Sequence, residues 1–226
     1  MPDFDRALVL ETAGKVGRAA LAADGAVVAE ARLGEERRRA SDLALVVDRL
    51  LRDAGWGPAS LTAVVVGLGP GSYTGLRVGL ASAKVLAYAV GCRFFGVETF
   101  AAIAMRAAEG PVSVVADALQ GKLFRRDYRR SGNELEPGGP LEVIAGVDWL
   151  AGLGTGMQVT GPAAGAWVGK VPAGVNVADA SDREPRPADL LAVARACPWA
   201  VTTDVWTAEP LYLRGSSAEE KAQAQS

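Results

Sequence analysis

The 226-residue chain contains no histidine, only two cysteines and almost no net charge, its 24 Lys and Arg set against 26 Asp and Glu to leave −2 at pH 7. Each shortage narrows the chemistry. Without histidine this chain can build no His-coordinated metal site, no Ser-His-Asp triad and no Cys-His dyad, so acid-base work falls to carboxylates, lysine or tyrosine. Cys92 and Cys197 are neither spaced as a pair nor grouped with other ligands, which reads as a reduced, cytoplasmic protein with ordinary semi-buried thiols. The near-neutral balance gives no general attraction to nucleic acid or to an anionic membrane. No apolar run reaches 18 residues, and the opening MPDFDRALVL is too acidic for a signal peptide, so no membrane association is expected.

What is present is a globular composition, half of it hydrophobic, with material for one large domain or two small ones. Residues 7–10 read as a short apolar strand ending in Glu11. A turn through Gly14-Lys15 and a second at Asp24-Gly25 complete a three-stranded meander with strands at 16–21 and 26–33. Ser41 suits an N-cap for a helix over 42–54 with Gly55 as its stop. A strand at 64–68, a helix over 76–90, a strand at 93–97 and a short helix at 100–108 follow. Gly110-Pro111 marks a boundary between a first lobe, 1–109, and a smaller second lobe, 110–214. In the second lobe the pattern predicts a hairpin of 112–117 with 123–130, a polar loop over 131–140, and a strand at 141–144. A helix at 147–153, a strand at 157–160 and a helix at 187–196 complete it. Residues 215–226 carry no apolar side chain larger than alanine and are expected to be a mobile tail.

The two lobes carry a faint repeat. Leu8-Val9-Leu10-Glu11 with Gly14-Lys15 parallels Val114-Val115-Ala116-Asp117 with Gly121-Lys122, and Gly69-Pro70 parallels Gly161-Pro162. This order suggests a duplicated sheet-plus-helices unit with an eroded second copy.

The helix over 76–90 is unusually apolar. Arg77, Ala81, Lys84 and Tyr88 share one narrow stripe, and apart from Ser82 the rest of the cylinder is Leu, Val, Ala or Gly. So wide an apolar girdle must bury more than one side. One side can lie on the sheet; another needs a second cover. The preceding loop, Gly69-Pro70-Gly71-Ser72-Tyr73-Thr74-Gly75, invites a phosphate-binding reading at a helix N-terminus. With Glu98 ending the next strand it is close to a dinucleotide fingerprint, although the Lys-Ser/Thr pair of a P-loop is missing. The competing reading, which the sequence favours, is a tight turn that lets the helix pack closely. Glu11 and Asp117, at strand ends beside glycine turns, have the geometry to hold Mg²⁺ through water at the phosphates of ATP or ADP, with Lys15 as charge partner. Acidic residues also commonly begin exposed turns. The arginine runs, Arg37 to Arg39 and the set Lys122, Arg125, Arg126, Arg129 and Arg130, are diluted by Glu35, Glu36 and Asp127 and read as solvated faces.

The stretch GLGPGSYTGLRVGLASAKVLAYAVG resembles the signature of the bacterial TsaB (YeaZ) family, and the resemblance extends over most of the chain through ALVLETA, VVADALQGKLF and EPLYLR. It implies an α/β, two-lobed actin-like ATPase (ASKHA) fold with a shortened second lobe. It further implies a part in making threonylcarbamoyladenosine beside the tRNA anticodon. In this family the chain does not perform the transfer. It pairs with the catalytic paralogue TsaD, works with the ATPase TsaE, forms a homodimer when alone, and meets tRNA only through the complex. The catalytic paralogue's metal site is built on histidines, which this chain lacks. The family's pairing surface is made by two first-lobe helices, which correspond here to 42–54 and 75–90. Leu43, Leu45, Val46, Leu50, Leu76, Val78, Val85, Leu86 and Ala89 are the expected interface. The chain departs from the family pattern at Glu11, where Asp is usual, at Ala40, where His is frequent, and at Leu119-Gln120 in the second-lobe hairpin.

Two readings from other classes stay open. One is a nucleotide-dependent actin-like kinase or ATPase, which needs Glu11, Lys15 and Asp117 to line one cleft. The other is a nicotinamide enzyme built on the 69–75 loop and Glu98, which needs an N-terminal βαβ unit.

Overall fold

The computed structural model describes residues 4–33 and 40–213. Arg37 to Arg39, the side chain of Ser41, Arg214 and the tail at 215–226 lie outside the described residues. The first half runs β1 (Arg6–Glu11), β2 (Arg18–Ala23), β3 (Ala26–Arg32), α1 (Ala40–Asp53), β4 (Ala63–Gly67), α2 (Tyr73–Val90), β5 (Arg93–Val97) and α3 (Thr99–Ala104). The second half runs β6 (Gly110–Asp117), β7 (Lys122–Ser131), β8 (Glu134–Pro137), β9 (Glu142–Ala145), α4 (Gly146–Ala151), β10 (Gln158–Thr160), β11 (Asn176–Val177), α5 (Pro187–Ala196) and β12 (Val201–Thr202).

The duplication read from short sequence matches is a duplication of topology. The first sheet is ordered β12-β5-β4-β1-β2-β3 and the second β11-β10-β6-β7-β8, with β9 beside β7. In both, a central strand pairs antiparallel with the next strand and parallel with one that arrives later: β1 with β2 and β4, β6 with β7 and β10. Gly69 and Gly161, matched in the repeat, both have left-handed φ, +94° and +103°. The erosion is equally visible. Where the first copy has the 18-residue α2, the second has only a 3-10 turn, Ala164–Trp167.

Strict period-two alternation sorts the strand residues into layers. On β1 and β4, Ala7, Val9, Ala63 and Val65 face an inner core, whereas Leu8, Leu10, Val64 and Val66 face an outer one. Helices α1 and α2 cover the outer face. The inner core also takes Val112, Val114 and Ala116 of β6, with α3 and α5 filling the space between the sheets. Val115 points the other way, toward Trp149 of α4. The order is therefore helices, sheet, helices, sheet, helix.

The structure departs from the sequence expectations at four places. Helix α1 starts at Ala40, so Ser41, expected as its N-cap, lies inside the helix. The polar 131–140 loop contains a strand, β8, because Leu135 is buried and the edge of β7 supplies a ladder for its backbone. Helix α3 ends at Ala104 rather than near 108. Segment 110–214 also returns to the first sheet, where β12 pairs with β5, while α5 packs its buried Leu190, Leu191, Val193 and Ala194 into the core between the sheets.

Candidate functional site

The glycine loop is built for close packing. Ser72 caps α2, accepting the Gly75 N–H at 3.2 Å, and Gly91 closes it in a left-handed conformation. The β1–β2 turn then lies directly on the start of the helix. The Ser72 N–H donates to the Ala13 carbonyl at 2.8 Å, and the Thr12 hydroxyl donates to the Gly75 carbonyl at 2.8 Å. A Cβ at Gly71, Gly75 or Gly79 would stand 2.4, 2.0 or 2.1 Å from Ala13 O, Thr12 O or Thr12 Oγ1. The glycines thus make room for chain, and the amides a phosphate would need are partly spent on it.

Between the two sheets lies a cleft of about 380 Å³, and Lys15 and Asp117 both line it. Glu11 does not. Its side chain is fully buried behind the turn, where Oε1 accepts the Ala13 N–H at 2.6 Å and Oε2 accepts the Thr99 hydroxyl at 3.1 Å. Gly67 leaves it space, for a Cβ there would stand 2.1 Å from Oε2. Burial pushes its carboxyl from 4.5 up to about 7, against the lowering pull of Ala13 N–H and Thr99, while nearby Glu184 adds to the rise. Much of the remaining lining is apolar, with Leu76, Phe100, Ile103, Phe124 and Pro162 among it. Asp117 Oδ1 accepts the Leu119 N–H at 2.7 Å. Sealed behind the turn, Glu11 does not reach a cation bound in this cleft, so the three residues do not line it together.

Glu98 is likewise turned inward. It is buried and bonded to Arg126 and the Tyr128 hydroxyl of β7, tying the end of β5 to the second sheet. Desolvation raises its pKa despite both partners, and the Tyr128 hydroxyl is pushed up by its own burial first and then by Glu98. It cannot reach a ribose, and the chain opens with an antiparallel meander instead of a βαβ unit. The nicotinamide reading falls on both counts. Other members of the second arginine set serve internal contacts too: Arg125 pairs with Asp127 and Glu142, and Arg130 donates to the Ala107 carbonyl at 2.6 Å.

The expected interface residues divide by their place on α1 and α2. Leu43 and Leu50 are buried in this chain's own outer core and hold α1 onto the sheet, and Leu76 is buried at the cleft wall, so all three are closed to a partner. Val46, Val78 and Leu86 are half-buried against that core. Leu45, Val85 and Ala89 are exposed, Leu45 by 65% and Val85 by 68%. The stripe of Arg77, Ala81, Lys84 and Tyr88 runs beside the chain's own segment at 203–213, which supplies part of the second cover that the helix demands. Lys84 Nζ donates to the Trp206 carbonyl at 3.4 Å, Arg77 Nε donates to the Tyr212 hydroxyl at 3.0 Å, and the Tyr88 and Trp206 rings meet edge-on at 5.5 Å. Tyr88 and Trp206 are still 71% and 74% exposed, so they extend the bare ridge started by Val85. Sequence reasoning missed Trp206; an isolated tryptophan in a polar C-terminal stretch, after the last regular helix, was the available signal.

The family model for TsaD, tRNA N6-adenosine threonylcarbamoyltransferase, matches residues 34–158. Among solved structures, YeaZ from Pseudomonas aeruginosa superposes with a TM-score of 0.74 at 25% identity, covering 92% of this chain and 100% of that one. A second, an uncharacterized protein from Pseudomonas aeruginosa with similarity to peptidase YeaZ, gives 0.74 at 26% identity, covering 93% and 100%. No curated protein matches the chain.

Proposed function

This chain belongs to the TsaD family of tRNA N6-adenosine threonylcarbamoyltransferases, and on that premise we propose that it is the YeaZ-type, non-catalytic partner in threonylcarbamoylation of the adenosine beside the tRNA anticodon. Its likeness to YeaZ runs the full length of that protein, and the chain has no histidine with which to build the metal site that the resemblance assigns to the catalytic paralogue. The carrying observation is the set of exposed apolar side chains on α1 and α2, Leu45, Val85, Tyr88 and Ala89, left bare while Leu43, Leu50, Leu51, Leu80, Ala83 and Ala87 of the same helices are buried.

The ridge docks on the corresponding helices of the catalytic paralogue and orders or orients that subunit. Interfaces of this kind draw most of their affinity from a few well-packed anchors, and Val85, exposed beside Tyr88 and Ala89 one turn on, is the anchor here. The TsaE-like ATPase joins that pair, and a homodimer through the same face is the resting form when the paralogue is absent. No magnesium nucleotide is needed in the interlobe cleft, since Glu11 is withdrawn from it. Affinity capture from the source lysate tests the reading. Recovery of the catalytic paralogue supports it; a capture that contains the ATPase or unrelated proteins but never the paralogue contradicts it.

A further inference from the structure

After β12 the chain turns back along α2 and reaches the cleft at residues 211–213. Asp204 starts this run: its Oδ1 accepts the Trp206 N–H at 2.8 Å and its carbonyl accepts the Ala208 N–H at 3.0 Å. Trp206 then lies against Lys84 and Tyr88, and Ala208 is buried. Three residues on, the Leu211 N–H donates to the Leu68 carbonyl at 2.8 Å and its side chain packs on the outer core. Tyr212 stacks on Tyr73, ring centroids 4.8 Å apart, with Arg77 bonded to both hydroxyls. Leu211, Tyr212 and Leu213 line the cleft, as does Tyr73.

One short stretch therefore touches the bare ridge of α2 at one end and the cleft mouth at the other. Between them it is held by the buried Ala208, by Val205 and Leu211 against the outer core, by side-chain stacking and by the Leu211–Leu68 backbone bond, outside any sheet ladder, and segments without such a ladder can open below the global unfolding free energy. We propose that 203–213 is a strap whose two ends dock and release together, coupling the mouth of the interlobe cleft to the outer face of α2. A ligand in the cleft that fixes Tyr212 also fixes Trp206 against Tyr88. Conversely, a protein clamped on Tyr88 and Trp206 fixes Tyr212 at the cleft mouth and favours the same ligand, because such coupling is reciprocal. The effect on a partner subunit rests on the proposed function; the coupling inside the chain does not.

Amide hydrogen exchange on the full chain tests it with two separate variants, Trp206→Ala and Tyr212→Ala. Trp206→Ala removes a contact at the α2 end and should speed exchange of the Leu211 N–H at the cleft end about three- to tenfold, the range that an aromatic edge contact supplies. Tyr212→Ala should speed exchange of the Ala208 N–H by a similar factor. Amides of β6 and β7 keep the wild-type rate, which separates strap release from general unfolding. The conservative variants Trp206→Phe and Tyr212→Phe keep the rings and should restore most of the protection at the far end. The proposal is overturned if each alanine variant accelerates exchange at its own end alone.

Discussion

Replacing Glu11 by Gln should change how stability depends on pH, in a way that no surface carboxylate can imitate. The carboxyl is fully buried, with its folded pKa raised from 4.5 to about 7 by loss of water. An acid whose folded pKa lies above its unfolded value contributes stability that is complete below pH 4.5. That contribution is lost as the pH climbs to 7, because the unfolded chain releases a proton that the folded chain retains. At ~1.4 kcal/mol per pH unit the displacement amounts to about 3 kcal/mol, fully lost above pH 7. Gln cannot ionise, so this slope disappears. Gln mimics the protonated acid: its Oε1 can still accept the Ala13 N–H, and its amide nitrogen, like the acid O–H, can donate to the Thr99 hydroxyl. Glu11→Gln should therefore match wild type to within about 1 kcal/mol at pH 4 and be about 3 kcal/mol more stable at pH 8. Urea denaturation at pH 4, 5, 6, 7 and 8 measures the difference. Glu98 and Asp189, whose pKa values burial also raises, contribute equally to both proteins and cancel in the comparison. Curves that run parallel across this range would refute the reasoning.

Gly75→Ala and Gly79→Ala should each cost about 1–3 kcal/mol or more by forcing α2 off the Thr12 turn, while Gly154→Ala, with open space around it, leaves the melting temperature unchanged in calorimetry. Arg126→Ala strands Glu98 in the junction between the sheets and should lower stability by about 3 kcal/mol. Removing the cation drives the Glu98 pKa further up, so that loss should grow with pH in chemical denaturation. Calorimetric titration of the isolated chain with ATP and Mg²⁺ should give neither micromolar binding nor turnover; both together would restore the kinase or ATPase reading.

The strands and helices were legible because alternation and glycine stops act locally: Gly55, left-handed, follows the end of α1 as expected. The Asp24-Gly25 turn, both residues left-handed, sits where the sequence implies it, and α5 and β5 match their expected spans. The duplication was legible only as an order of short motifs, since few residues define a strand–turn–strand unit and the second copy has lost its counterpart of α2. The site was less legible. A helical wheel tells which residues of α2 are apolar but not which apolar side the sheet takes, so Leu76 and Val85 looked alike from sequence. Glu11 and Asp117 end equivalent strands, yet one is sealed under Thr99 and Gly67 and the other lines the cleft. That difference arises from contacts 56 and 88 positions away, which no local pattern encodes. Trp206 belongs to a segment without regular periodicity, and its place beside α2 follows from where β12 joins the first sheet.

The most direct test of the central claim is the affinity of this chain for the catalytic paralogue, measured by calorimetry for wild type, Val85→Asp and Val147→Asp. Both valines are largely exposed, 68% and 72%, so neither substitution disturbs a core, and Val147 lies on the other sheet's side of the molecule. The account predicts that wild type and Val147→Asp bind alike, while Val85→Asp loses affinity by about thirtyfold or more, as burying an uncompensated charge at an interface centre requires. Equal binding by all three would contradict it.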